Sequence, residues 1–164
     1  MKFLKTAALA ICAFCVAFAC VACGQNDVRV TLGTYSEANQ TFTPVTEGYT
    51  LTVSGTTFTL KGDIPYSQGI IGLEDGNIVA IKIMPTTAIE PDAGTSIQTT
   101  NRQSQEGWNT YGQEALEQDG SIIWVTSVTK DEDVQIKIKW NSEATEKTYT
   151  LKVDESATLA TAGE

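Results

Sequence analysis

Tyr49-Thr50-Leu51-Thr52-Val53-Ser54-Gly55-Thr56-Thr57-Phe58-Thr59-Leu60 says most about how this chain folds. Side chains of an extended chain alternate between two faces, so Tyr49, Leu51 and Val53 share one face, and Phe58 and Leu60 do likewise. Ser54-Gly55 between the two runs predicts a two-residue hairpin turn, with glycine supplying the positive φ that such turns need. That turn would pair Val53 with Thr56, Leu51 with Phe58 and Tyr49 with Leu60. The apolar residues then meet on one side, while Thr50, Thr52, Thr57 and Thr59 line the other as a polar ladder.

The same alternation recurs along the chain. Val28 to Leu32 reads as a half-buried strand. Asp75-Gly76-Asn77 is a turn signal leading into Ile78 to Met84, where Val79, Ile81 and Ile83 point one way and Pro85 stops the strand. Pro85 to Gln105 reads as loop with one short strand near Ser96-Ile97-Gln98, and Gln113 to Glu117 has room for a single helical turn. Asp119-Gly120 turns the chain into Ser121 to Thr126. There Ile122-Ile123-Trp124-Val125 is apolar on both faces, as in an interior strand. Val134, Ile136, Ile138 and Trp140 then alternate with Gln135, Lys137 and Lys139. After a loop over Asn141 to Glu146, Tyr149, Leu151 and Val153 alternate with Thr148, Thr150 and Lys152. Lysines on an open face guard against edge-to-edge aggregation. Seven to nine short strands without a helix of useful length predict an all-β protein, an antiparallel β-sandwich over residues 28–154. A small closed β-barrel is the alternative. Residues 155–164 are small and polar and read as a flexible C-terminal tail.

The composition excludes whole classes of function. The chain has no histidine, which removes the commonest general base and metal ligand. The four cysteines are Cys12, Cys15, Cys20 and Cys23, all near the N-terminus. A domain downstream of them has neither thiol nor imidazole, so Ser-His-Asp, Cys-His and histidine-bearing zinc sites cannot be built there. No cofactor is expected. Removing Lys2 and Lys5 from the 11 Lys and Arg leaves nine against 20 Asp and Glu, a net charge near −11 for the remainder. That surface repels nucleic acid, so no nucleic-acid partner is expected.

Residues 1–22 follow a different rule. Lys2 and Lys5 precede an uncharged apolar run from Thr6 to Val21, and small residues then lead to Ala22-Cys23. This order is that of an export signal, to be set aside from fold reasoning. Ala22-Cys23 resembles the lipobox of bacterial lipoproteins, with Cys20 in the place usually taken by leucine. The resemblance implies cleavage after Ala22, a diacylglycerol thioether on Cys23, and an extracytoplasmic protein attached to the bacterial cell membrane or outer membrane. Residues 23–27 are then a lipidated tether, and two acyl chains give stable anchoring where one is marginal. The alternatives are a soluble secreted form and a transmembrane anchor, for which the apolar run is slightly short.

A second resemblance rests on strand patterns. Trp140, a loop, then Lys147-Thr148-Tyr149-Thr150-Leu151-Lys152-Val153 is similar to the last strands of bacterial immunoglobulin-like and cadherin-like surface modules. Gly76 to Ile83 before a proline is similar to an earlier strand of such domains. The resemblance covers about a third of the chain and implies an immunoglobulin-like sandwich in an adhesion or scaffold role.

Candidate chemistry is sparse. Trp108 and Tyr111, with Arg102, Asn109 and Gln113 around them, offer aromatic faces for stacking on a glycan or peptide and polar groups to orient it. The competing reading has Trp108 capping the core with Tyr111 beside it. Trp124 and Trp140 lie on strand faces and are expected in the core. Asp131-Glu132-Asp133, with Asp119 upstream, are oxygen ligands of the kind calcium takes, but without an Asp-x-Asp-x-Asp-Gly loop they read as a solvated turn, and no metal is expected. Glu114 and Glu117 are the kind of acid pair a glycosidase uses, with nothing in the pattern to form a cleft. The expectation is a lipid-anchored, non-catalytic binding or adhesion module with a glycan or protein ligand. The rivals are a structural or envelope-assembly lipoprotein without a soluble ligand and, further back, a glycan-active enzyme.

Overall fold

The computed structural model describes residues 27–70, 72–100, 109–111, 117 and 119–163, with residues 109–111 described by their backbone. Cys23 and the export stretch lie outside these residues, as do residues 113–116 of the expected helical turn. Among the described residues there are eleven strands and no helix. They are β1 (Val28–Ser36), β2 (Thr41–Pro44), β3 (Tyr49–Ser54), β4 (Thr57–Ile64), β5 (Ile78–Pro85), β6 (Ser96–Thr99), β7 (Asn109–Tyr111), β8 (Ile122–Ser127), β9 (Val134–Lys139), β10 (Lys147–Val153) and β11 (Thr158–Leu159). The count exceeds the expected seven to nine because β2, β7 and β11 are too short to show an alternation of their own.

The strands form two sheets, and neither closes into a barrel. One has the order β2-β1-β5-β8 and is antiparallel throughout. The other runs β4-β10-β9-β6-β7, with β3 and β11 also paired to β4. This architecture is a β-sandwich. Its core joins Val28, Leu32, Val79, Ile81, Ile83, Ile122 and Trp124 from the first sheet to Phe58, Leu60, Ile97, Ile136, Ile138, Tyr149 and Leu151 from the second. The alternation identified these inward faces on β1, β4, β5, β9 and β10. Trp124 and Trp140 are buried, at 2% and 6% exposure.

The hairpin forms with its turn one residue later than expected. Ser54 pairs with Thr57, so Gly55 and Thr56 are the central residues. Gly55 has φ +58°, and Thr56 does not have positive φ. A turn of the II′ kind needs positive φ only at its first central position, and glycine takes that position. Moving the turn by one residue shifts each partner by two, giving Val53 opposite Phe58, Leu51 opposite Leu60 and Tyr49 opposite Gly62. A shift of two leaves every side chain on its expected face.

Three expectations are corrected. The second sheet is mixed, because β10 runs parallel to β4, with Leu151 opposite Phe58. Alternation specifies a strand's faces but not its neighbour's direction. Ile122 to Ser127 is not interior among the described residues, where β8 ends the order of the first sheet. Its inward residues Ile122, Trp124 and Thr126 are buried, while Ile123, Val125 and Ser127 are half-buried. Strand pairing also continues past Asp154. Asp154 accepts hydrogen bonds at Oδ1 from the Ser156 N–H (3.0 Å) and hydroxyl (2.5 Å), and Thr158–Leu159 pair with Asp63 and Ile64 as β11. Ala157 is buried in the core.

Asn77 secures that last segment. Its Nδ2 donates to the carbonyls of Ile64 (3.2 Å), Pro65 (3.2 Å) and Ala160 (3.0 Å). Asn77→Ala should cost about 1–2 kcal/mol, the loss of hydrogen bonds to partly buried carbonyls. The loss should be local, read as faster hydrogen exchange of the Ala160 amide, which donates to Ile64, with the β9 and β10 amides unchanged.

Candidate functional site

Register divides the sandwich into two ends. Val28 lies opposite Pro85 and Ile83 opposite Ile122, so the start of β1, the end of β5 and the start of β8 share one end. In the other sheet, Ser96 opposite Lys139 and Ile138 opposite Lys147 put the starts of β6 and β10 together with the end of β9. The Lys147 ammonium pairs with the Asp27 carboxylate, which places these ends of the two sheets side by side. We call this end the base. The far end carries the β1–β2 turn at residues 37–40, the β4–β5 loop at 65–77 and the β8–β9 loop at 128–133.

Two residues of the aromatic and amide cluster expected to bind a ligand, Asn109 and Tyr111, lie on β7. Thr99 lies opposite Asn109 and Ile97 opposite Tyr111. The chain therefore leaves β6 after Thr99 and enters β7 at Asn109 at the far end, and β7 runs toward the base at Tyr111. Arg102, Trp108 and Gln113 themselves lie outside the described residues. Asn109 and Tyr111 are strand positions rather than loop, because a three-residue pairing against β6 is set by the neighbour and not by a local pattern. Tyr66, which follows Pro65 in the β4–β5 loop, has no sequence pattern to single it out. It is the exposed large hydrophobic residue among those described, at 38% exposure, and it stands at the far end.

The candidate cation ligands separate in the same way. Asp119 precedes β8 at the base, whereas Asp131, Glu132 and Asp133 follow it at the far end, and the six residues of β8 span about 17 Å. Asp133 pairs with Lys152 at 3.1 Å and Asp119 with Lys82 at 2.8 Å. Among the described residues, no three acids gather as a metal site would need. Glu114 lies outside the described residues, and Glu117 is exposed, its N–H donating to the Ser121 carbonyl.

The perturbed carboxyl groups are structural acceptors. The Lys82 ammonium, followed by the Ser121 hydroxyl and N–H, holds Asp119 down at about 2. Asp92 is lowered chiefly by the Ser142 hydroxyl, with the Gly94 and Ser142 N–H groups assisting at 2.7 and 2.8 Å. It thereby joins the loop before β6 to the loop after β9, a contact 50 residues apart that local pattern does not reveal. The Ser156 hydroxyl lowers Asp154 in the same manner. A carboxylate held below its usual range is a poor proton store, the opposite of a general acid poised near neutrality. Burial pushes the Tyr49 and Tyr149 phenols up, so both stay neutral, and their hydroxyls find no hydrogen-bond partner among the described residues.

Asp119 carries a pH prediction. Its folded value lies below the ordinary 3.8, so its contribution to stability is complete above that value and disappears as pH falls toward 2. The group is largely exposed, so the contribution is at most about 1 kcal/mol. Wild type and Asp119→Asn should therefore differ in unfolding free energy at pH 6 and converge near pH 2. A carboxyl titration by NMR should place its midpoint well below that of a free aspartate.

No family model, curated protein or solved structure matches this chain.

Proposed function

We propose that the chain is a lipid-anchored, extracytoplasmic binding or adhesion module without catalytic activity. The observation that carries this reading is the stretch ending Ala22-Cys23, an export signal with small residues before a cysteine. The β-sandwich supports it, because such a scaffold holds ligand-binding loops at a strand end. So do the lowered carboxylates, which serve as acceptors for local loops. The ligand class that suits aromatic side chains is a glycan or a peptide, with Tyr66 at the far end and Trp108 as the aromatic candidates.

Cys23→Ser should abolish lipidation, since only a thiol forms the thioether, and should move the protein out of the detergent phase. Normal partitioning of that variant would end the lipoprotein reading. On a glycan array, the domain of residues 24–164 should bind, and Trp108→Ala and Tyr66→Ala should each weaken binding with little change in thermal stability. If Trp108→Ala instead costs several kcal/mol, Trp108 belongs to the core. The structural or envelope-assembly lipoprotein is then the better reading.

A further inference from the structure

We propose that the base is a membrane-facing foot that holds the domain end-on to the bilayer, with the far end directed outward. The proposal rests on lipidation of Cys23 and extends that reading from attachment to orientation. Its structural basis is Asp27, the first described residue. The Asp27 carbonyl accepts from the Thr86 N–H at 2.9 Å and from the Thr86 hydroxyl at 3.1 Å. Its carboxylate pairs with Lys147. Thr86 directly follows β5 of one sheet, and Lys147 opens β10 of the other. The chain thus enters the domain held by both sheets at the base, and not on a free arm.

Length turns this clamp into an orientation. Residues 24–26 separate Cys23 from Asp27, and four links of about 3.5 Å reach at most about 14 Å. The six residues of β9 alone rise about 17 Å from base to far end, before the loops are added. The domain cannot invert on so short a tether, so the far-end loops cannot pass beneath the base toward the headgroups. Glu90, Glu143 and Glu146 are exposed on the loops nearest the base, and their charge disfavours close contact with anionic headgroups. Tyr66 stands at the end that points away from the lipid. A ligand at that end would be met in trans, on another surface or in the medium.

The test uses the full lipidated protein in phosphatidylcholine vesicles that carry a headgroup-labelled energy acceptor. With residues 1–22 removed and Cys23 alkylated, the chain has no free thiol, so a donor can be attached at Glu146→Cys in the base or at Asp131→Cys in the far end. Both positions are exposed. With the two labels about 20 Å apart along the strands, transfer from position 146 should exceed that from position 131 by about twofold or more. Equal transfer, or more from position 131, with protein attached to the vesicles would overturn the orientation and leave the anchor standing. Failure of the protein to float with the vesicles would overturn the anchor and the orientation together. Combining Thr86→Val with Lys147→Ala should shrink the difference between the labels. An unchanged difference would remove the clamp as the orienting device.

Discussion

Phe58→Ala is expected to lower the unfolding free energy by about 3–5 kcal/mol, the range for truncating a buried phenylalanine. Phe58 is fully buried in β4, between Val53 on β3 and Leu151 on β10. Its ring stacks on Tyr149 with centroids 5.5 Å apart, a contact that adds to the area term. Removing it leaves a void that three strands and the facing sheet would have to close. Leu51 is half-buried near the edge of the same sheet, so Leu51→Ala should cost clearly less, about 1–2 kcal/mol. Thr50 faces solvent, and Thr50→Ala should stay within about 0.5 kcal/mol. Denaturant unfolding of the three variants tests the ordering. Similar losses at Thr50 and Phe58 would mean that the hairpin is covered on both faces.

Gly62→Ala should cost about 2–5 kcal/mol although the residue is exposed, the sum of a conformational and a packing penalty. Gly62 has φ +94° within β4, where an L side chain carries a conformational penalty of roughly 1–2 kcal/mol. A Cβ there would press into the Gly48 carbonyl oxygen and stand 3.0 Å from the Tyr49 Cα, both backbone atoms that cannot swing aside. Relieving that contact means moving β3 away from β4, an overpacking cost of about 1–3 kcal/mol. Gly76→Ala is the control. Nothing lies within 4 Å of its Cβ position, so it should stay within about 0.5 kcal/mol. Thermal unfolding separates the two, and equal midpoints would show that the β3–β4 register adapts to a side chain at position 62.

Of the candidate site, the residue types are legible in the sequence but their arrangement is not. Asn109 and Tyr111 look like members of a loop cluster, yet both lie on β7, paired with Thr99 and Ile97. Asp119 and Asp131 look like parts of one acidic group and lie at opposite ends of β8. That separation has a simple cause. Neighbours along an extended chain separate by about 3.3 Å per residue, so a few strand residues carry two polar groups out of each other's reach. Tyr66 shows the converse, a single aromatic in a loop with no pattern to mark it.

Residue order alone was enough to say which side of β1, β3, β4, β9 and β10 faces the core. Tyr49, Val134, Ile136, Ile138, Tyr149 and Leu151 are inward as their alternation requires, because period two is a property of the extended backbone whatever its partner. Residue order also put a glycine in the hairpin turn, and it excluded any imidazole or thiol chemistry downstream of Cys23. Strand partnership, by contrast, emerged with the folded chain: β4 takes a parallel partner from β10, Thr158–Leu159 extend the same edge, and β8 ends a sheet among the described residues. These depend on contacts such as Thr57 with Thr150 and Asn77 with Ala160, 93 and 83 residues apart. Local alternation leaves such pairings open. They are selected when two apolar faces close on each other, since that closure buries the core and decides which strand edges meet.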